Sequence, residues 1–136
     1  MELLIVIGIL SILFAITIRA INPLKQLTDA RNAKRHASVV TLESAVKQYI
    51  VDGHSFTNIP TSKAAAKDIC QHEVPAATCT GPLVDGYDLS DLVPTYIVGI
   101  PVDDDEVTET FSGYRIYQEG SLIRVCAPRM DGECGS

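Results

Sequence analysis

LKQLTDARNAKRHASVVTLESAVKQYIVDG, residues 24–53, decides the fold. Val39, Leu42, Val46 and Tyr49 recur at steps of three and four, the period of one helix face, and Leu24 and Leu27 begin a similar stripe. Ala30, Ala33 and Ala37 keep the middle of the helix narrow. Asp29, Arg31, Lys34, Arg35, Glu43 and Lys47 fall mostly on other faces, and Gly53 supplies a helix stop. The spacing predicts an amphipathic helix over 24–52 with one apolar stripe that needs a partner.

Toward the N-terminus the character changes. Leu3 to Ile18 contains only Gly8, Ser11 and Thr17 as breaks and carries no charge. As a helix these sixteen residues measure about 24 Å, against a hydrocarbon core of about 30 Å. That is slightly short for a membrane span and too long for an ordinary core helix. Pro23 removes a backbone donor between the two segments and bends or loosens the helix there. A helix reaching Asp52 is on the order of 75 Å long. No domain of this size covers such a rod, so its first half must be buried in lipid or against other chains.

Toward the C-terminus the pattern turns irregular, punctuated by Pro60, Pro75, Gly81 and Pro82. TSKAAAKDICQ suits a short helix capped by Thr61 or Ser62. DLSDLVPTYIVGIP suggests a helical turn at Ser90 to Leu92 and a short strand around Tyr96 to Val98. GYRIYQEGSLIRVCAP is the clearest hairpin: Tyr114 and Ile116 alternate with Arg115 and Tyr117, Glu119-Gly120 turns, and Leu122 to Cys126 returns. The tail PRMDGECGS reads as a loop ending in Cys134. The class is α+β: a long N-terminal helix, then loops, then a small antiparallel sheet.

The 136 residues suffice for one small domain. A net charge of −6 and a pI near 4.9 argue against nucleic acid as the main partner, because phosphate binding needs a basic surface. Two signals conflict over compartment. Arg19, Lys25, Arg31, Lys34 and Arg35 all follow the apolar run, which by the positive-inside rule keeps the later part cytoplasmic. Cys70, Cys79, Cys126 and Cys134 suit disulfides in an oxidising compartment. Both hold if a basic leader preceded Met1 and was removed, Met1 then being no native beginning. A cleaved secretory signal fits poorly: no basic segment precedes the run and no clear A-x-A site follows it.

ELLIVIGILSILFAI resembles the N-terminal segment of type IV pilins and of the pseudopilins of type II secretion systems. In that family a prepilin peptidase removes a short basic leader. The new N-terminus, usually an N-methylated Phe, is followed by a few residues, a Glu and a long apolar helix. Glu2 matches that Glu. The helix containing Asp29-Ala30-Arg31, LVPTYIVGIPVDDD and the C-terminal hairpin also resemble pseudopilin-like domains. The likeness is strong from Glu2 to about Gly53 and looser afterwards. Two departures stand out: the residue that would be methylated is not in this sequence, and the family's frequent helix-breaking Pro falls at Arg19, with Pro23 four residues later. The resemblance implies the pilin fold. Residues 1–23 become the transmembrane and filament-core helix, and residues 24–136 a periplasmic or extracellular globular domain.

A bare carboxylate at membrane depth costs several kcal/mol and persists only with a partner. On its own physics, Glu2 sits at headgroup level in the first helical turn, favoured by the helix dipole by about 0.3–1 kcal/mol. The resemblance implies an assembly role instead, in which Glu2 pairs with the N-terminal amine of a neighbouring subunit. The four cysteines permit three pairings. The local pairs Cys70–Cys79 and Cys126–Cys134 are favoured, each closing a short loop worth about 2–3 kcal/mol. A C-terminal cysteine pair also resembles the bounded loop near the end of many pilins. Zinc on Cys70, His72 and Cys79 lacks the usual ligand spacing.

Asp103, Asp104, Asp105 and Glu106 form an acidic loop of the kind that suits calcium, and major pseudopilins carry calcium in a comparable loop. A solvated acidic turn is the simpler expectation, with no cofactor needed. The basic cluster Arg31, Lys34, Arg35 and His36 is expected to pair with Asp29, Glu43 or a neighbouring subunit's acidic loop, ahead of headgroups or DNA. His36, His54 and His72 are isolated, no serine or cysteine has a recognisable base, and no Gly-rich phosphate loop is present. No enzyme is expected. There is no Asn-x-Ser/Thr acceptor, so any glycan is O-linked.

These readings point to a structural subunit of a type IV pilus-like filament. It begins as a single-pass precursor in the cytoplasmic membrane, meets an assembly platform, and ends as a homo-oligomer in a cell-surface filament. The alternatives are a pseudopilin of a secretion or DNA-uptake machine and, from another class, a single-pass anchor carrying an extracellular binding domain.

Overall fold

The computed structural model describes residues 2–81, 85–130 and 134. Met1, Pro82 and most of the tail beyond Met130, all read from sequence above, lie outside the described residues. The chain divides into two units, Met1–Ala33 and Lys34–Ser136.

In the first unit, helix α1 spans Glu2–Ile21, and α2, spanning Pro23–Val51, begins. Asn22 separates them at a positive φ of 40°. Pro23 therefore stands at the first position of a new helix, where its missing N–H leaves nothing unpaired. The N–H groups of Lys25 and Gln26 donate to the Asn22 carbonyl at 3.2 and 3.4 Å. Leu24 and Leu27 are exposed.

The second unit is built on the rest of α2. Arg35, Val39, Leu42, Ala45 and Val46 are its buried residues. Gly53, at φ 92°, ends the helix: its N–H donates to the Ile50 carbonyl at 3.0 Å and that of His54 to Tyr49 at 3.2 Å. This pair of bonds is a Schellman stop, satisfying two carbonyls that a helix end leaves open. Tyr49 then stacks on His54 and packs against Phe56 and Tyr96.

The sheet contains β1 (Lys67–Cys70), β2 (Gly86–Tyr87), β3 (Phe111–Glu119) and β4 (Leu122–Cys126), in the order β2-β1-β3-β4. The α+β class and the hairpin are as expected: β3 and β4 pair antiparallel, Glu119 opposite Leu122, and Gly120 takes a positive φ of 62° in the turn. The sheet is mixed, however, because β1 and β2 run parallel. A parallel partner needs a connection of a dozen or more residues. Here that connection carries a short helix, α3 (Ala76–Cys79), and is drawn in by the Cys70–Cys79 disulfide. Ile69, Tyr114, Ile116 and Val125 pack with Val39, Leu42 and Val46 of α2 into one core, joined by Leu89 and Leu92.

Two local expectations are corrected. TSKAAAKDICQ makes only a 3-10 turn, Lys63–Ala65, before Lys67–Cys70 extends as β1. Ala66 leaves helical geometry at ψ 133°, and burial of Ile69 and Cys70 against the other strands outweighs the helix propensity of the alanines. Tyr96 to Val98 is not a strand. The N–H groups of Tyr96 and Ile97 donate to the Leu92 carbonyl at 2.9 and 3.2 Å, which withdraws them from any sheet. The helical turn at Ser90–Leu92 is present.

Gly86 is where β2 meets the disulfide. A Cβ built there would lie 2.5 Å from Cys79 Sγ, 2.7 Å from the Cys79 carbonyl oxygen and 2.7 Å from Phe111 Cε1. Two of those neighbours cannot swing away. Gly86→Ala is therefore expected to destabilise this unit by about 1–3 kcal/mol, seen as a lowered denaturation midpoint at unchanged slope.

Candidate functional site

Two features carry the candidate function: the apolar helix α1, and the acidic turn seated on α2.

None of the residues of α1 is buried. Its 20 residues measure about 30 Å, the thickness of a hydrocarbon core, so it is long and apolar enough to cross a membrane. The helix gains length over the uncharged run because Arg19 and its neighbours continue it to Ile21. Its two hydroxyls are satisfied internally: Ser11 donates to the Ile7 carbonyl at 2.8 Å and Thr17 to Phe14 at 2.9 Å. An apolar solvent leaves no other partner for such groups. Glu2 lies in the first turn and Arg19 in the last, both exposed, matching the sign of the helix dipole. The amine with which Glu2 was expected to pair belongs to another chain, and the N-terminal residue itself is outside the described residues.

The acidic turn is held by the helix it faces. Asp103 is 4% exposed and Arg35 is 6% exposed. Arg35 Nε donates to Asp103 Oδ2 at 2.6 Å and its Nη2 to Oδ1 at 3.2 Å, a two-pronged contact. The same Nη2 donates to Asp105. Lys34 donates to Asp104 at 2.6 Å on the exposed side, and Arg129 to Glu106. Backbone bonds close the turn: Asp103 N–H donates to the Ser112 carbonyl at 2.8 Å, while Glu106 and Val107 N–H donate to the Asp103 carbonyl. Gly113 gives the turn room. At φ 90° it presents no side chain, and a Cβ there would lie 3.0 Å from the Cβ atoms of both Asp103 and Glu106.

The protonation states follow. Burial pushes the Asp103 carboxyl up, but hydrogen bonds from Arg35 and from the Asp105 N–H, with the charges of Arg35 and Arg129, outweigh it and hold Asp103 below its ordinary 3.8. The hydrogen bond to Asp103 raises Arg35 above its ordinary value against the opposing effect of burial.

Asp103 and Asp105 therefore converge on the Arg35 guanidinium, while Asp104 turns to Lys34. Each carboxylate faces a cation of this chain, and among the described residues no group of three or more His, Cys, Asp or Glu side chains could hold a metal ion. The expected partner of the basic cluster is also revised: Lys34 and Arg35 take this chain's own acidic turn, while Glu43 pairs with Lys47 and Arg124 and accepts the Val125 N–H at 3.2 Å. Sequence reasoning placed Arg35 off the core-facing stripe. Successive steps of four, three and four residues lead from Arg35 to Val39, Leu42 and Val46, which puts it on that stripe. Cys70 pairs with Cys79 and Cys126 with Cys134.

A cleft of about 510 Å³ opens beside α2 in the second unit, lined by Ala37, Ser38, Thr41, Tyr96, Val98 and Gly99 among others. Val98 at its edge is 94% exposed. Comparison with protein families, with known proteins and with solved structures finds no match to this chain.

Proposed function

We propose that the chain is a structural subunit of a type IV pilus-like filament, held in the cytoplasmic membrane by α1 before assembly and packed around α1 afterwards. The observation that carries the reading is α1 itself: twenty residues, none buried, headed by a carboxylate. Burial of apolar area is worth about 25 cal/mol per Å², so a helix this exposed needs lipid or other copies around it. Lipid covers the apolar side chains and leaves Glu2 at headgroup level with only the helix dipole to favour it. Neighbouring copies cover the side chains as well, and a neighbour's N-terminal amine would pair with Glu2, which rewards one axial stagger between helices. The disulfides suit a domain displayed outside the cytoplasm. The resemblance of ELLIVIGILSILFAI to pilin and pseudopilin N-termini supports the same reading. A short secretion or DNA-uptake pseudopilus uses the same subunit design and differs in filament length. The internally satisfied hydroxyls of α1 also suit a single-pass anchor whose binding domain never polymerises.

Electron microscopy of sheared surface fibres tests the reading, with the subunit identified in them. Glu2→Ala is expected to reduce filament yield by at least tenfold, equivalent to about 1.4 kcal/mol per contact, with the membrane-held precursor unchanged. Filaments at wild-type yield from that variant would remove the assembly role of Glu2. A chain found only in the membrane, with no fibres from the unmodified sequence, would leave the anchor reading.

A further inference from the structure

We infer that Arg35 is the built-in counter-ion of the acidic turn: its guanidinium takes the place at which a divalent cation would otherwise neutralise residues 103–105, so the turn folds without metal. This holds whether or not the chain polymerises.

Calcium asks for six to eight oxygens converging at about 2.3–2.6 Å. The oxygens here are committed elsewhere. Both Asp103 oxygens accept from Arg35, and Oδ1 also accepts the Asp105 N–H at 3.1 Å. Asp105 accepts from the same guanidinium and Asp104 from Lys34. The backbone carbonyls a calcium loop would recruit are taken too, Ser112 by Asp103 and Asp103 by Glu106 and Val107. A dication among these carboxylates would stand beside a guanidinium that cannot leave by deprotonating. Arg35 also arrives without any search through solution. It is the second residue of the Lys34–Ser136 unit and is fixed to α2 by the same stripe that forms the core. A planar fork suits this task better than a point charge, because one guanidinium reaches two carboxylates at once.

The test uses the full chain in detergent micelles, with calcium chloride as the probe. For the unmodified chain, millimolar calcium against EDTA is expected to move Tm by less than about 1 °C and to give no saturable heat on titration. Arg35→Gln releases the Asp103 and Asp105 carboxylates from the guanidinium. Its Tm in EDTA should fall, and millimolar calcium should restore at least about 4 °C with saturable binding. Arg35→Lys keeps a charge at the site and should stay indifferent to calcium. Three results would overturn the inference: saturable calcium binding with a raised Tm in the unmodified chain, calcium response in Arg35→Lys, or an Arg35→Gln variant that calcium neither stabilises nor, if unfolded, refolds.

Discussion

Asp103→Ala is expected to lower the stability of the Lys34–Ser136 unit by about 3–5 kcal/mol, a fall in Tm of roughly 12–20 °C. The size follows from what is left behind. Arg35 is 6% exposed and remains charged, so removing Asp103 takes the two-pronged carboxylate away from a buried guanidinium that still holds its contact to Asp105. The Asp105 N–H loses its acceptor as well. Asp104→Ala, one residue on, is expected to cost no more than about 1 kcal/mol. Its pair with Lys34 is mostly exposed on both sides, where water and salt replace the contact. Denaturant melts of the two variants, followed by near-ultraviolet circular dichroism, give the comparison. Equal losses would show that Arg35 does not depend on Asp103.

Acid should report the same contact. Asp103 has a folded pKa below its ordinary 3.8, so its contribution is complete above about pH 4. It is lost as pH falls below that value and through the folded pKa, because the unfolded chain then binds the proton more readily. Part of the acid-induced fall in Tm below pH 4 belongs to this group. Asp103→Asn, which keeps an acceptor oxygen without a titratable proton, is expected to start lower and fall less steeply over that range.

Much of this arrangement was legible in the sequence, and its limits have physical causes. The apolar run, the stripe of Val39, Leu42 and Val46, the stop at Gly53 and the hairpin around Glu119-Gly120 are local signals, each set by spacing or by a backbone requirement of one residue. β1 and β2 were not legible. Lys67–Cys70 follows three alanines that favour helix, and becomes a strand because β3 on one side and β2 on the other complete its hydrogen bonds. β2 has two residues, too few for any alternation to appear. Arg35 was missed for a different reason. A basic residue on an apolar stripe reads as solvent-facing until the carboxylates that neutralise it, 68 and 70 positions later, are known to fold back onto it. Glu43 was misassigned similarly, since its partners Arg124 and the Val125 N–H arrive only with β4.

The two disulfides should differ in what they hold, although chain length makes them nearly equal. Their sequence separations are 9 and 8, so the loop-closure account gives each about 2.7 kcal/mol. Surroundings break the tie. Cys70 and Cys79 are 2% and 0% exposed, and Cys79 Sγ fills the space that Gly86 leaves open. Removing both sulfurs therefore adds an unfilled volume to the lost cross-link, about a further 1 kcal/mol or more. On the other pair, Cys126 is buried but Cys134 is only half-buried, and a partly exposed site refills with water. Cys70→Ala with Cys79→Ala is thus expected to cost about 4 kcal/mol, against about 3 kcal/mol for the Cys126 and Cys134 pair. Location sharpens the contrast. The first disulfide draws in the crossover between the parallel strands, and β2 offers only two residues of pairing to resist its loss. Amide exchange at Gly86 and Tyr87 should accelerate toward the unprotected rate in the first double variant, while Ile116 in the interior of β3 stays protected. In the second double variant the β1–β2 amides should be unaffected. Equal Tm losses together with intact protection at Gly86 would show that the parallel pair stands without its covalent tie.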